Sequence, residues 1–185
     1  MKPRLLATFL LAALAVPALA QEPAKPGPEH QKLAATAGTW TAALETMGQD
    51  GKPMTVKGTQ VTKVACGGLW LVEDFTVPDF MGAPFHGHGT TGYDTAKGKY
   101  VGTWIDSMST SVMVTEGSYD KSGKVLTMTG TGPGMDGKPV LMRMVTTEKD
   151  ANTRVFEMLM PGPDGKEMKT MTITYTRADA KTDKK

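Results

Sequence analysis

The sequence predicts an all-β protein: an up-and-down antiparallel β-barrel of about ten strands behind a short N-terminal helix. Three observations predict it. From Gly38 onward apolar residues recur at every second position, with Thr and Val frequent. Gly or Asp-Gly punctuates that pattern roughly every ten residues, the spacing of a strand and its turn. No interval between these segments is long enough for a crossover helix, so neighbouring strands should run antiparallel. A long series of strands favours closure, because a closed sheet has no exposed edge. A two-sheet sandwich is the alternative.

The elements follow in order. Met1–Ala20 carries Lys2 and Arg4, an apolar run from Leu5 to Leu14, and small residues at Ala18 and Ala20. These are the features of a secretory signal peptide removed before Gln21, so the protein is expected to be exported, periplasmic or secreted. The run is too short to cross a bilayer, and no membrane span is expected elsewhere. Residues 21–27, with Pro23 and Pro26, read as a flexible leader. Pro28 to Ala35 reads as the helix: Pro28 suits its first turn, Glu29 its positive end, and Gly38 stops it. Strands are expected near 38–47, 54–65, 68–77, 84–93, 98–107, 110–119, 124–131, 138–149, 152–160 and 167–177. Asp50-Gly51-Lys52, Asp136-Gly137-Lys138 and Asp164-Gly165-Lys166 are turns, since Asp-Gly supplies the positive φ of tight hairpins. Asp94 to Gly98 and Asp120 to Gly123 read as longer hairpin loops. Residues 28–177 thus form one barrel domain, and the charged tail 178–185 is expected to be disordered.

Charge and cysteine usage exclude some functions. The chain has 21 Lys and Arg against 19 Asp and Glu. The excess is Lys2 and Arg4, so the chain after residue 20 is neutral and no nucleic-acid partner is expected. Cys66 is the single cysteine, which rules out an internal disulfide. It does not follow the cleavage site, so it is no lipid anchor. A buried, inert thiol is expected.

Gly38-Thr39-Trp40, placed after a short helix and opening the first strand, resembles the Gly-x-Trp start of lipocalins and other calycin barrels. The resemblance implies that Trp40 plugs the closed end and that Arg177, ending the last strand, stacks on it. A second resemblance spans nearly all of the chain after residue 20. Its carriers are Pro28-Glu29-His30 leading to Gly38-Thr39-Trp40, then Gly92-Tyr93-Asp94 with Tyr100-Val101-Gly102-Thr103-Trp104-Ile105-Asp106-Ser107-Met108-Ser109-Thr110. Glu116-Gly117-Ser118-Tyr119-Asp120 and Ile173-Thr174-Tyr175-Thr176-Arg177 complete it. Together they resemble the bacterial exported family catalogued as domain of unknown function 1579, which implies a barrel and supplies no catalytic residues.

Several constellations could carry chemistry. Trp104 and Asp106 share a face with Tyr100, so an inward Trp104 brings an inward carboxylate. Asp106 is then a polar anchor in a ligand pocket, a partner for an inward Arg such as Arg143, or a cap on the 107–111 turn. Thirteen methionines lie beyond residue 20, and at strand period they read as core or as the wall of a pliable apolar pocket. His86-Gly87-His88 places two imidazoles on one face, the start of a Zn or Cu site, with Glu73 or Asp74 nearest to extend it. A solvent-facing His pair is the plainer reading. Asp106 and Glu116 could approach across a hairpin, but no nucleophile elbow or phosphate loop is present.

The leading expectation is a non-catalytic module holding a small apolar or amphipathic ligand against Trp104, Asp106, Tyr100 and Met113, with no cofactor. The first alternative is copper or zinc binding through His86, His88 and Met side chains. The second is an enzyme with Asp106 or a His as general base. Strands apolar on both faces also allow a homodimer through the outer wall. Intact mass of the protein purified from its own host should begin at Gln21; a mass retaining residues 1–20 would refute the cleavage.

Overall fold

A computed structural model describes residues 22–134, 137–162 and 164–178. The expected signal peptide and residues 179–185 of the tail lie outside them. Helix α1 (Pro28–Ala34) is followed by ten strands: β1 (Gly38–Met47), β2 (Pro53–Ala65), β3 (Trp70–Phe80), β4 (Ala83–Asp94), β5 (Lys99–Asp106), β6 (Met113–Tyr119), β7 (Val125–Pro133), β8 (Pro139–Asp150), β9 (Thr153–Pro161) and β10 (Glu167–Arg177). Each strand pairs antiparallel with its sequence neighbours, and β1 pairs with β10 to close the barrel. The fold is the up-and-down antiparallel barrel that the alternation and turn spacing predict.

Two strand starts differ from the sequence reading by more than one residue. β3 begins at Trp70 rather than 68, because Cys66–Gly68 forms a 3-10 turn with left-handed backbone. That turn leaves Cys66 exposed, not buried, because it lies outside the sheet. β6 begins at Met113 rather than 110, because residues 107–112 form a loop that Asp106 and Ser109 fix by accepting backbone N–H groups.

The period of two assigns each strand an inner and an outer face. Trp40, Ala42 and Leu44 on β1 pack with Phe75 and Val77 of β3 and with Ile173 and Tyr175 of β10. A second cluster joins Leu71, Tyr100 and Met128 to Leu33 of α1. The helix therefore covers one end of the barrel, called here the closed end. The opposite, open end carries three hairpins with the same turn. Gly48, Gly134 and Gly162 donate to the carbonyls of Lys52, Lys138 and Lys166 at 2.7–2.8 Å. Gly51, Gly137 and Gly165 adopt φ of +74° to +76°, a region a side chain disfavours, which is why each Asp is followed by Gly.

At the closed end Trp40 is 1% exposed, and its indole N–H donates to the Thr36 carbonyl at 3.1 Å. The Arg177 guanidinium lies 4.3 Å from the ring centre, and that of Arg154 lies 4.4 Å from it. Arg177 also donates to the carbonyls of Ala35, Ala37 and Ala151. One side chain thus ties the connection after α1 to the β8–β9 turn across the seam. Outside, Ile105, Val112, Val114 and Leu141 are exposed, so the outer wall is apolar on part of β5, β6 and β8.

Trp40→Ala should destabilise the protein by about 3–5 kcal/mol, the usual loss for a buried large side chain. Arg177→Lys keeps the charge but cannot reach three carbonyls, and should cost about 1–3 kcal/mol. Urea unfolding checks both, and an Arg177→Lys effect near zero would remove the clamp.

Candidate functional site

The candidate site is the barrel interior, built where large side chains face glycines. On β5, Tyr100, Gly102, Trp104 and Asp106 point inward; beside them on β4 stand Gly87 and Gly89. The Trp104 ring lies flat on this glycine surface: a Cβ added at Gly87 would sit 2.2 Å from the ring. No residue but glycine fits there while the ring keeps its place. The indole N–H donates to Asp106 Oδ2 at 2.9 Å, and Asp106 Oδ1 accepts the Met108 N–H at 2.9 Å. Asp106 therefore orients the indole and caps the 107–112 loop together.

Met113 pairs in register with Trp104 and is half-buried. Its side chain runs along Gly130 and Gly132, where it meets Met142. Tyr100 lies elsewhere. It belongs to the closed-end cluster, edge-on to Tyr93 at 5.0 Å and Tyr119 at 5.1 Å. Burial, with Glu29 nearby, pushes its hydroxyl up to about 12. So Trp104, Asp106 and Met113 share one region and Tyr100 sits a layer below, because a strand carries residues four apart to different depths.

Other sequence expectations are corrected. Arg143 is not the inward partner of Asp106. It alternates with inward Met142 and Met144, faces outward, and forms a bidentate pair with Glu167. Glu116 does not approach Asp106; it is on the outer face, where the hydrogen bond from Lys99 at 2.5 Å, with its charge, lowers the Glu116 pKa.

His86 and His88 also face outward, across from Thr76 and Asp74. The His88 ring nitrogen Nδ1 lies 2.8 Å from Asp74 Oδ1. Glu73, next to Asp74, points to the other side. The His pair borders a groove of about 360 Å³ that includes Ile105 and Ser107. Among the described residues no three His, Cys, Asp or Glu side chains converge on a common point.

The interior holds four polar residues: Gln60 and Arg154, which the sequence reading passed over, Glu73, which it placed beside the His pair, and Tyr175, which it took only as part of the family resemblance. Gln60 Nε2 donates to Glu73 Oε1 at 2.7 Å and to Thr62 Oγ1 at 3.1 Å. Burial raises the Glu73 pKa, and the Arg154 charge and the Gln60 hydrogen bond offset this in part. Arg154 stacks on Trp40 and on Tyr175, whose ring centre is 5.0 Å away. Burial also pushes the Tyr175 hydroxyl up. The signal was present in the alternation: Glu73 falls in phase with Leu71, Phe75 and Val77, and Arg154 with Phe156, Met158 and Met160.

With this geometry in view, the comparisons place the chain. Residues 25–177 match the family described as a protein of unknown function, DUF1579. The chain belongs to that family. No curated protein matches it in sequence. The Rv2717c protein of M. tuberculosis superposes with a TM-score of 0.62 at 14% identity, covering 82% of this chain and 98% of that one. The S-type phycobiliprotein lyase CPES of Guillardia theta gives 0.55 at 10% identity, covering 84% of this chain and 100% of that one. At such identities the likeness of this DUF1579 barrel to both extends to the fold alone.

The Glu73 shift sets a pH dependence. Its pKa in the folded state lies above the ordinary value of 4.5, so folding favours the protonated form. That contribution to stability is full below pH 4.5 and is lost as pH rises through the folded pKa. Glu73→Gln keeps a neutral hydrogen-bonding group and has no proton to lose. Its stability relative to wild type should therefore increase from pH 4 to pH 8. A pH-independent difference in urea unfolding would show that Glu73 titrates normally.

Proposed function

We propose that the barrel binds a small amphipathic molecule in its interior, entering through the open end. The observation that carries this reading is accessible surface on inward side chains. Trp40, Phe75, Val77 and Ile173 are buried, yet Trp104, Met144, Phe156 and Met158, also on the inner wall, are only half-buried. Surface retained on an inner wall faces interior space. The lining is aromatic and thioether, with a few placed polar groups, the composition of small-molecule sites. Methionine is unbranched and polarisable, so such a wall can adapt to an irregular apolar body. The charged start and short apolar run of residues 1–20 support action outside the cytoplasm.

The test uses N-phenyl-1-naphthylamine, an uncharged apolar dye. It should bind one-to-one with a rise in its fluorescence and quench tryptophan emission. Trp104→Phe should remove most of that quench while leaving the dye bound. Met158→Gln should weaken binding about tenfold, the equivalent of about 1.4 kcal/mol of lost apolar contact. Binding untouched by Met158→Gln but lost in the outer-wall double variant Ile105→Ser, Val114→Ser would overturn the reading.

A further inference from the structure

We infer that Arg154 is the receptor for the anionic head of the bound molecule, and that this molecule is a carboxylate with an apolar tail. The inference rests on the interior-binding reading above and narrows it to a class of ligand.

The barrel has three described arginines, and their donors have different fates. Arg177 gives its donors to three carbonyls, and Arg143 forms its bidentate pair with Glu167. Arg154 is 6% exposed, the most polar of the buried residues, and makes no hydrogen bond or ion pair with any described residue. Its known contacts are the rings of Trp40 and Tyr175. Stacking occupies the flat faces of a guanidinium; the N–H donors radiate in its plane and stay available. Among the described residues no side-chain nitrogen or oxygen is both sealed from solvent and without a partner. The Arg154 donors are therefore not sealed off and remain open to a ligand.

A buried guanidinium without a counter-ion is unfavourable, and the nearby carboxylates do not supply one by contact. Glu73 and Glu148 feel the Arg154 charge through space, and burial raises the pKa of each. Glu73 Oε1 is already engaged by Gln60. Tyr175 is stacked beside Arg154, and burial keeps its hydroxyl protonated, so it adds a second donor to the same region. A guanidinium fork with a neighbouring hydroxyl matches two coplanar acceptor oxygens, which is the geometry of a carboxylate. The same strand supplies the rest of the site. In phase with Arg154 along the strand, Phe156, Met158 and Met160 form an apolar track toward the open end that reaches about 20 Å from Arg154 at the usual strand rise. The head lies deep and the tail lies along the methionines.

The experiment compares cis-parinaric acid, a fluorescent long-chain carboxylate, with its methyl ester and with N-phenyl-1-naphthylamine. Wild type should bind the acid at least about tenfold more tightly than the ester. Arg154→Gln should erase that preference and leave dye binding unchanged. Arg154→Lys and Tyr175→Phe, which keep a charge and a ring respectively, should each reduce the preference several-fold, and they carry the test where Arg154→Gln does not fold. Equal binding of acid and ester by wild type would overturn the inference while leaving interior binding intact. So would an acid-over-ester preference untouched in Arg154→Lys and Tyr175→Phe. Loss of acid and dye binding together in a folded Arg154→Gln would make Arg154 a structural plug instead. Failure of wild type to bind the dye at all would remove the interior-binding reading and this one with it.

Discussion

The antiparallel pairing of β1 with β10 gives the sheet an inside and an outside, and the rest of the structure depends on that distinction. Once the wall is closed, every second residue lives in a space screened from bulk water. Apolar side chains gain from that placement, and polar ones are acceptable only with a partner or a purpose. The closed end satisfies the rule with Trp40 and Arg177: the indole fills the space, and the guanidinium both stacks on it and neutralises three free carbonyls. Gln60 and Glu73 satisfy it with each other, and Arg154 through the rings of Trp40 and Tyr175.

The outer wall follows different physics. Its ion pairs, such as Lys99 with Glu116 and Lys169 with Glu157, join side chains well exposed to water. Pairs of this kind contribute little to stability, but they fix register between neighbouring strands and keep most of the surface polar. The same outward phase explains why His86 and His88 stand away from the interior, although each is one residue from a glycine that touches the Trp104 ring.

Much of the fold was legible because alternation and turn chemistry agree. Gly38–Met47 and Glu167–Arg177 have the bounds that the pattern gives, and the Asp-Gly-Lys turns fall where Gly must take positive φ. The start of β3 was obscured because Cys66, a non-glycine residue, takes a left-handed conformation that no residue-type preference signals. The start of β6 was obscured because local Asx and Ser turns at Asp106 and Ser109 hold residues 107–112 out of the sheet although the apolar alternation continues through Val112. Within the site, the shared face of Trp104 and Asp106 was readable from spacing, whereas the flat seat on Gly87 requires knowing which strand lies beside β5. Arg143 was misplaced inward and Arg154 overlooked for one reason: neither was phased against its own strand. Arg143 alternates with inward Met142 and Met144, whereas Arg154 falls in phase with inward Phe156.

The connectivity has a consequence for how the chain reaches this state. Every strand pair except one is a hairpin between consecutive segments, so nearly all of the sheet is built from contacts local in sequence. The exception is the seam, where Thr41 bonds to Thr176 across 135 residues. Bringing chain ends together over such a span costs about 4 kcal/mol in loop entropy beyond a constant, whereas each hairpin closes only a short loop. A meander can therefore assemble progressively, and the seam is the step that must wait for both ends of the chain. Because β10 is translated after the other nine strands, the barrel stays an open sheet until synthesis has passed its final strand. The β1–β10 ladder and the tryptophan clamp at its end together offset that entropy.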